Sequence, residues 1–273
     1  MKRITSPHNE SFKLAKKIGT SRGSRKEDAF LIEGGKLLVE AIAGGLEIIT
    51  IFVRHEDVKL PEELTEELQS EAMILDEKLF SELTDTVSPQ GIVAIVRRPS
   101  GEGKTICAVG RKAADDKGKD TKDLRVIILD RLSDPGNVGT VIRTALAAEF
   151  DMAVLVKGTA EVYSDKVIRS SAGAVFHLPI AFAGSAQECV DDIRKLGLRL
   201  MTCHIDGLDI YSEANIAGGV AFAVGNEANG PSKGFSENSD EVLTIPMDSR
   251  SESLNVGVAA AVVMFEKYRI DHS

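Results

Sequence analysis

From residue 126 onward, short apolar runs alternate with stretches of helical periodicity, and this alternation limits the folds open to the chain more than any other feature. Residues 126–129, 153–156, 199–203, 220–224 and 242–245 read as strands, and 138–148, 186–196 and 254–268 as helices. Most of these strands are apolar on both faces, which is the pattern of a parallel sheet covered by helices on either side. The second half is therefore predicted to be an α/β domain. In open sheets of this kind, ligands sit at the carboxyl ends of the strands, so the loops leaving those ends are where chemistry is to be sought.

The first half reads as a smaller mixed α/β unit. Strands are predicted over 30–33, 48–53, 72–75 and 92–97, the second rich in β-branched residues, with helices over 36–43 and 62–70. Between the halves, Pro99-Ser100-Gly101-Glu102-Gly103-Lys104 and the run 112–122 are polar and glycine-bearing. That composition predicts a linker over 99–123, separating a domain of residues 1–98 from one of residues 124–273.

A chain of 273 residues with 43% hydrophobic content can bury a core in each part. Its net charge of −9 at first opposes a nucleic-acid partner. The distribution says otherwise: residues 1–26 carry Lys2, Arg3, Lys13, Lys16, Lys17, Arg22, Arg25 and Lys26 against the single acid Glu10. A basic end on an acidic body can dock phosphate locally, although the same charges are consistent with a solvated face. No apolar run reaches the length of a membrane span, and the basic N-terminus has no apolar segment behind it. Cys107, Cys189 and Cys203 form no C-x-x-C pair, and the five histidines show no ligand spacing, so neither a disulfide framework nor a metal site is expected. These features predict a cytoplasmic protein in a reducing compartment, without a membrane partner.

Three loops carry unusual chemistry. The first, after strand 126–129, runs Asp130-Arg131-Leu132-Ser133-Asp134-Pro135-Gly136-Asn137-Val138-Gly139 and leads to Arg143. Asn137 is suited to capping a helix, and Gly139 lets a backbone or ligand approach. A capped helix with a surface arginine would also satisfy this segment. The second, after strand 220–224, is Gly225-Asn226-Glu227-Ala228-Asn229-Gly230-Pro231-Ser232, a tight turn with exposed donors and a central carboxylate. A plain turn before a proline-started helix is the alternative. The third, after strand 242–245, passes from Pro246-Met247 through Ser253-Leu254-Asn255 into a helix of small apolar residues. That helix is apolar nearly all round, so several of its sides should be buried and the polar loop before it makes a natural ligand wall.

Together, Asn137-x-Gly139-x-x-x-Arg143, Gly225-Asn226-Glu227-x-x-Gly230 and Ile245-Pro246-Met247 … Ser253-Leu254-Asn255 resemble, in order, the three motifs of the SpoU/TrmH methyltransferases of the SPOUT superfamily. The segment from Phe30 to Leu38, with Glu33-Gly34-Gly35 at its centre, is similar to the N-terminal substrate-binding domain often fused to that catalytic domain, itself similar to small RNA-binding ribosomal proteins. The resemblance implies a parallel-sheet domain closed by a deep trefoil knot, an exception to the rule that chains are unknotted. It implies S-adenosylmethionine as cofactor, held by Gly225, Asn226, Gly230, Ile245, Met247, Ser253, Leu254 and Asn255, and a homodimer with the first loop near the interface. Two departures stand out: Asp248-Ser249-Arg250 occupies a turn that commonly holds glycine, and Gly257 stands where serine is usual.

The implied reaction is methyl transfer to a ribose 2′-hydroxyl of RNA, large-subunit ribosomal RNA before transfer RNA. Arg143 would act on the hydroxyl as base or as electrostatic anchor, while Asn137, Glu227, Ser253 and Asn255 orient the reactants. Lys13, Lys16, Lys17, Arg22, Arg25, Lys26 and Arg143 would contact RNA. No G-x-G-x-x-G follows a strand, which disfavours a nicotinamide site. Gly103-Lys104-Thr105 resembles part of a phosphate loop, but Arg98 stands where its first glycine belongs. A non-catalytic RNA-binding or ribosome-assembly protein on the same fold is the rival reading, and binding of S-adenosylmethionine separates the two.

Overall fold

The structure, a computed structural model, describes residues 1–84, 90–99, 105–212, 215–226, 230–251 and 253–273. The chain divides into two compact units: Met1–Ser100 with Tyr163–Ile168, and Gly101–Val162 with Arg169–Ser273. No helix among the described residues is long and apolar enough to cross a membrane.

The first unit contains β1 (Lys2–Ile4), α1 (Glu10–Ile18), α2 (Ser21–Glu27), β2 (Ala29–Glu33), α3 (Gly35–Ala43), β3 (Ile48–Val53), α4 (Glu66–Glu71), β4 (Met73–Leu75), α5 (Glu77–Ser81) and β5 (Ile92–Arg97). Its sheet runs β1-β4-β3-β5-β2, parallel from β1 to β3 and antiparallel across β5. Helix α1 follows from its own sequence. The Asn9 side chain accepts from the amides of Ser11 and Phe12, and the three-residue spacing of Phe12, Ala15 and Ile18 turns one stripe into the core. Residues 62–65, read as the first turn of a helix, stay outside α4 because Thr65 caps it, and Leu64 is buried. Tyr163 stacks on Phe30 at 5.0 Å between ring centroids, so a short piece from later in the chain completes this unit, which the proposed boundary at residue 98 did not anticipate.

The second unit contains α6 (Ile106–Lys117), β6 (Arg125–Leu129), α7 (Pro135–Ala147), β7 (Met152–Val156), β8 (Ile180–Ala183), α9 (Ala186–Lys195), β9 (Arg199–Asp209), β10 (Val220–Val224), α10 (Lys233–Ser236), β11 (Glu241–Thr244) and α11 (Val256–Asp271), with α8 (Asp165–Ser170) on the returning chain. The six-stranded sheet runs β11-β9-β10-β6-β7-β8 and is parallel throughout. Every residue of β6, β7 and β10 is buried, as a doubly covered parallel sheet requires. Helices α6 and α9 contribute Ile106, Cys107, Cys189, Val190 and Ile193 to one core layer, with Val126, Ile128 and Val154 of the sheet. Helix α11 lies against α7.

Of the segment read as a linker over 99–123, residues 100–104 lie outside the described residues, and residues 106–117 are a helix, not a linker. Thr105 caps α6 through its hydroxyl, and Ile106, Cys107, Gly110, Ala113 and Ala114 form one buried face. The polar average of the segment concealed this stripe, because the buried residues are small and the charged ones between them fill the solvent face.

Asp151 ties the end of α6 to the start of the sheet. Its fully buried carboxylate accepts from the Arg125 amide at 2.7 Å and pairs with Lys117 at 2.7 Å and Lys119 at 3.0 Å. Burial alone would raise its pKa, but the hydrogen bonds from Lys117, the Arg125 amide and Lys119 outweigh that and hold it below the ordinary value of 3.8. A carboxylate with a depressed folded pKa stabilises fully above its ordinary value, and that contribution is lost as pH falls through the folded one. Asp151→Asn should therefore cost about 2 kcal/mol at neutral pH, the size of a charge-assisted hydrogen bond, by urea denaturation. The difference from the wild type should shrink below pH 4.

Candidate active site

Strands β6 and β10 are adjacent and in register to their ends, with Leu129 opposite Val224. Their loops therefore leave the carboxyl edge side by side. The Asp130 amide donates to the Val224 carbonyl at 2.9 Å, and the buried Asp130 carboxylate accepts from the Ser232 amide at 2.6 Å. The Asn226 amide donates to the Arg131 carbonyl at 3.3 Å, and the Gly230 amide closes the turn onto the Asn226 carbonyl at 2.8 Å. Gly225 is needed at this crossing, since a Cβ there would lie 2.0 Å from the Gly230 carbonyl carbon.

The third loop joins the first through two asparagines. Asn255 caps α11, its Oδ1 accepting from Gly257 at 2.9 Å and Val258 at 3.4 Å. Its amide donates to Asn137 Oδ1 at 3.1 Å. Asn137 thus lies inside α7 and Asp134 takes the capping position, its side chain accepting from the Gly136 amide.

The second and third loops line a cavity of about 630 Å³. Gly225, Asn226, Gly230 and Pro231 line it from the second loop, and Ile245, Met247, Ser253, Leu254 and Asn255 from the third. Thr244, Cys203 and His204 also line it, and sequence reasoning missed all three. The reason is that β9 continues to Asp209 by pairing with β11 across a register shift between Val242 and Leu243, a long-range pairing that no local pattern reveals. Burial raises the Cys203 thiol to about 12, so it faces the cavity as a neutral group. The volume lies within the range of roughly 300–1,000 Å³ typical of sites for small organic ligands.

All eight residues expected to hold a cofactor thus line this one cavity. Asn137 is tied to it through Asn255. Glu227 lies outside the described residues. Arg143 is exposed on α7 and does not line the cavity of its own chain, and it makes no hydrogen bond or ion pair among the described residues. Of the basic set in the first unit, Lys13 pairs with Glu10 at 2.8 Å, Lys16 with Glu82 at 2.5 Å and Lys17 with Glu27 at 2.5 Å. Arg22, Arg25 and Lys26 are exposed on α2. In the third loop, Arg250 chelates Asp248 through Nε and Nη2, and this hydrogen bonding lowers the Asp248 pKa to about 2.

A parallel sheet whose switch-point loops wall a pocket of this size defines an α/β domain that takes a small organic ligand at its carboxyl edge. The SpoU rRNA Methylase family model matches residues 124–265, and that of the MRM3-like substrate binding domain matches residues 9–94. The chain is 34% identical to the Bacillus subtilis (strain 168) 23S rRNA (guanosine(2553)-2′-O)-methyltransferase RlmP, over 97% of this chain and 98% of that protein. It is 29% identical to the 23S rRNA (adenosine(1067)-2′-O)-methyltransferase of Streptomyces azureus, over 89% of this chain and 86% of that one. Among solved structures, the AdoMet-bound rRNA methyltransferase from Sinorhizobium meliloti superposes with a TM-score of 0.83 at 25% identity, covering 98% of both chains. The chain belongs to the SpoU rRNA methylase family.

The double role of Asn255 can be separated. Asn255→Ala removes both the cap and the bond to Asn137 and should lower stability to urea by about 1 kcal/mol, the usual worth of a cap. Asn255→Asp keeps an acceptor for Gly257 and Val258 but cannot donate to Asn137, so it should recover most of that loss. Equal loss in both variants would mean that the bond between the loops, and not the cap, carries the stability.

Proposed function

We propose that this protein is an S-adenosylmethionine-dependent methyltransferase acting on a ribose 2′-hydroxyl of 23S ribosomal RNA in the cytoplasm. The observation that carries this reading is the convergence of the second and third motifs on one cavity, in a chain similar over nearly its whole length to a 23S rRNA 2′-O-methyltransferase. The donor set fits the cofactor: backbone groups of Gly225, Asn226 and Gly230 suit a purine edge, Ile245, Met247 and Leu254 suit its faces, and Ser253 supplies a hydroxyl. When bound, the cofactor supplies a methyl group on a positively charged sulfur. Close confinement of that methyl and the ribose oxygen removes much of the entropic part of the barrier.

The residues of the chain then have separate tasks. Asn137 and Asn255 fix the first loop against the third. Arg143 acts on the ribose hydroxyl or its neighbouring phosphate from the exposed face of α7. A guanidinium keeps its proton far above neutral pH, so we assign it electrostatic stabilisation of the developing oxyanion rather than proton abstraction. The first unit, matched by a substrate-binding domain, is the RNA-docking part, with Lys13, Lys16, Lys17, Arg22, Arg25 and Lys26 as contacts. Exposed ion pairs such as those of Lys13 and Lys16 are worth little, so phosphate can displace the carboxylates. We further propose a homodimer through α7 and α11, where Leu146, Val258 and Phe265 remain exposed on a single chain, and a trefoil knot formed by the segment between β11 and α11.

The test is methylation of 23S rRNA transcripts followed by alkaline hydrolysis. A 2′-O-methyl group removes the nucleophile for cleavage of the next phosphodiester, so the modified site should appear as a gap in the ladder. Arg143→Ala should lower the rate of the chemical step by roughly 100-fold, as for loss of one donor to a developing oxyanion, and leave cofactor affinity unchanged. Methylated RNA that cleaves normally at the modified nucleotide would overturn the ribose assignment.

A further inference from the structure

Arg131, on the first loop, is built into the site more firmly than its sequence context requires. It is one of four described non-glycine residues with positive φ, at 59°. A residue with a Cβ pays strain in that region, and such strain persists only where its surroundings impose it. Here both sides of its backbone are held. Its amide donates to Thr159 Oγ1 at 3.1 Å, and its carbonyl accepts from the cavity-lining Asn226 at 3.3 Å. Gly158, at φ 103°, makes way for the side chain, since a Cβ there would lie 3.2 Å from Arg131 Cγ.

The side chain is equally directed. Nε donates to Asp130 Oδ1 at 3.1 Å, and the other oxygen of that buried carboxylate is already engaged by the Ser232 amide. The terminal nitrogens Nη1 and Nη2 make no hydrogen bond among the described residues, and the side chain is 46% exposed. A guanidinium anchored by Nε, with its outer fork open to solvent, presents the planar donor pair that matches two oxygens of a phosphate. The exposed Lys157, next to Gly158, adds positive charge on the same loop edge.

We propose that Arg131 is a substrate-binding residue whose guanidinium fork holds a backbone phosphate of the RNA flanking the target ribose, at the rim of the donor cavity. This rests on the RNA methyltransferase reading above and adds to Arg143 a second phosphate anchor, one whose carbonyl is bonded by the cavity-lining Asn226.

The experiment compares the full-length wild type with Arg131→Gly and Arg131→Lys. Glycine suits φ 59° without strain, so that variant removes the guanidinium while keeping the loop. Binding of a 23S rRNA transcript is measured across a salt series, and binding of S-adenosylmethionine by calorimetry. Arg131→Gly should weaken RNA binding about tenfold and reduce the slope of log affinity against log salt by about 0.7–0.9, the value for one phosphate contact. Arg131→Lys should restore the slope but not the full affinity, because an ammonium keeps the charge without the fork. Cofactor affinity should stay within twofold for both. An unchanged RNA affinity and slope would overturn the proposal. Weaker RNA binding with an unchanged slope would instead place the guanidinium on a base edge, and also overturns it. A matching loss of cofactor affinity would reduce Arg131 to a wall of the cavity. Failure of the wild type to methylate ribose would count against the enzymatic reading, and the salt slopes, which need no methyl transfer, test the phosphate contact separately.

Discussion

The site depends on the register of two parallel strands. Because β6 and β10 end together at Leu129 and Val224, the first and second loops start as neighbours, and polar groups that would otherwise be stranded at the sheet edge satisfy one another. The Asp130 carboxylate takes the Ser232 amide, and the Asn226 side chain takes the Arg131 carbonyl. Asn255 then draws in the third loop by bonding Asn137 while capping α11. The cavity lies between the second and third loops, and each of these is bonded to the first. Bonds of this kind lower the ordering cost which free loops would incur on binding.

Much of this was legible in the residues. The five strands read in the second half are all present, since continuous apolar runs leave little choice of structure. The residues assigned to the cofactor from motif resemblance line one cavity, because turn chemistry such as Gly225 and Gly230 is encoded locally. Other features depend on pairing or packing at a distance. Helix α6 was hidden because its buried face is made of small residues such as Gly110, Ala113 and Ala114. Strand β8 (Ile180–Ala183) is only four residues long, although Pro179 and Gly184 bracket it, and β1 is three residues long. The role of Asp130 could not be read, because its partner Ser232 is more than a hundred residues away in the chain.

Helix α11 shows how one sequence feature serves several surfaces. Ala260, Val263 and Met264 are buried within the chain, which uses one side of a helix apolar nearly all round. Val258 and Phe265 remain about half exposed, leaving a face that a second copy would cover. Near its C-terminus, the buried Lys267 is held by Asp271, and burial lowers its pKa. The helix thus begins at the cavity with a cap shared between loops and ends in a paired charge.

If these loops form a ready site for S-adenosylmethionine, titration calorimetry should find one site per chain for the wild type, and loss of binding in Gly225→Ala, where the new Cβ would fall 2.0 Å from the Gly230 carbonyl carbon and force the second loop open. No binding by the wild type at millimolar cofactor, or undiminished binding by Gly225→Ala, would contradict it.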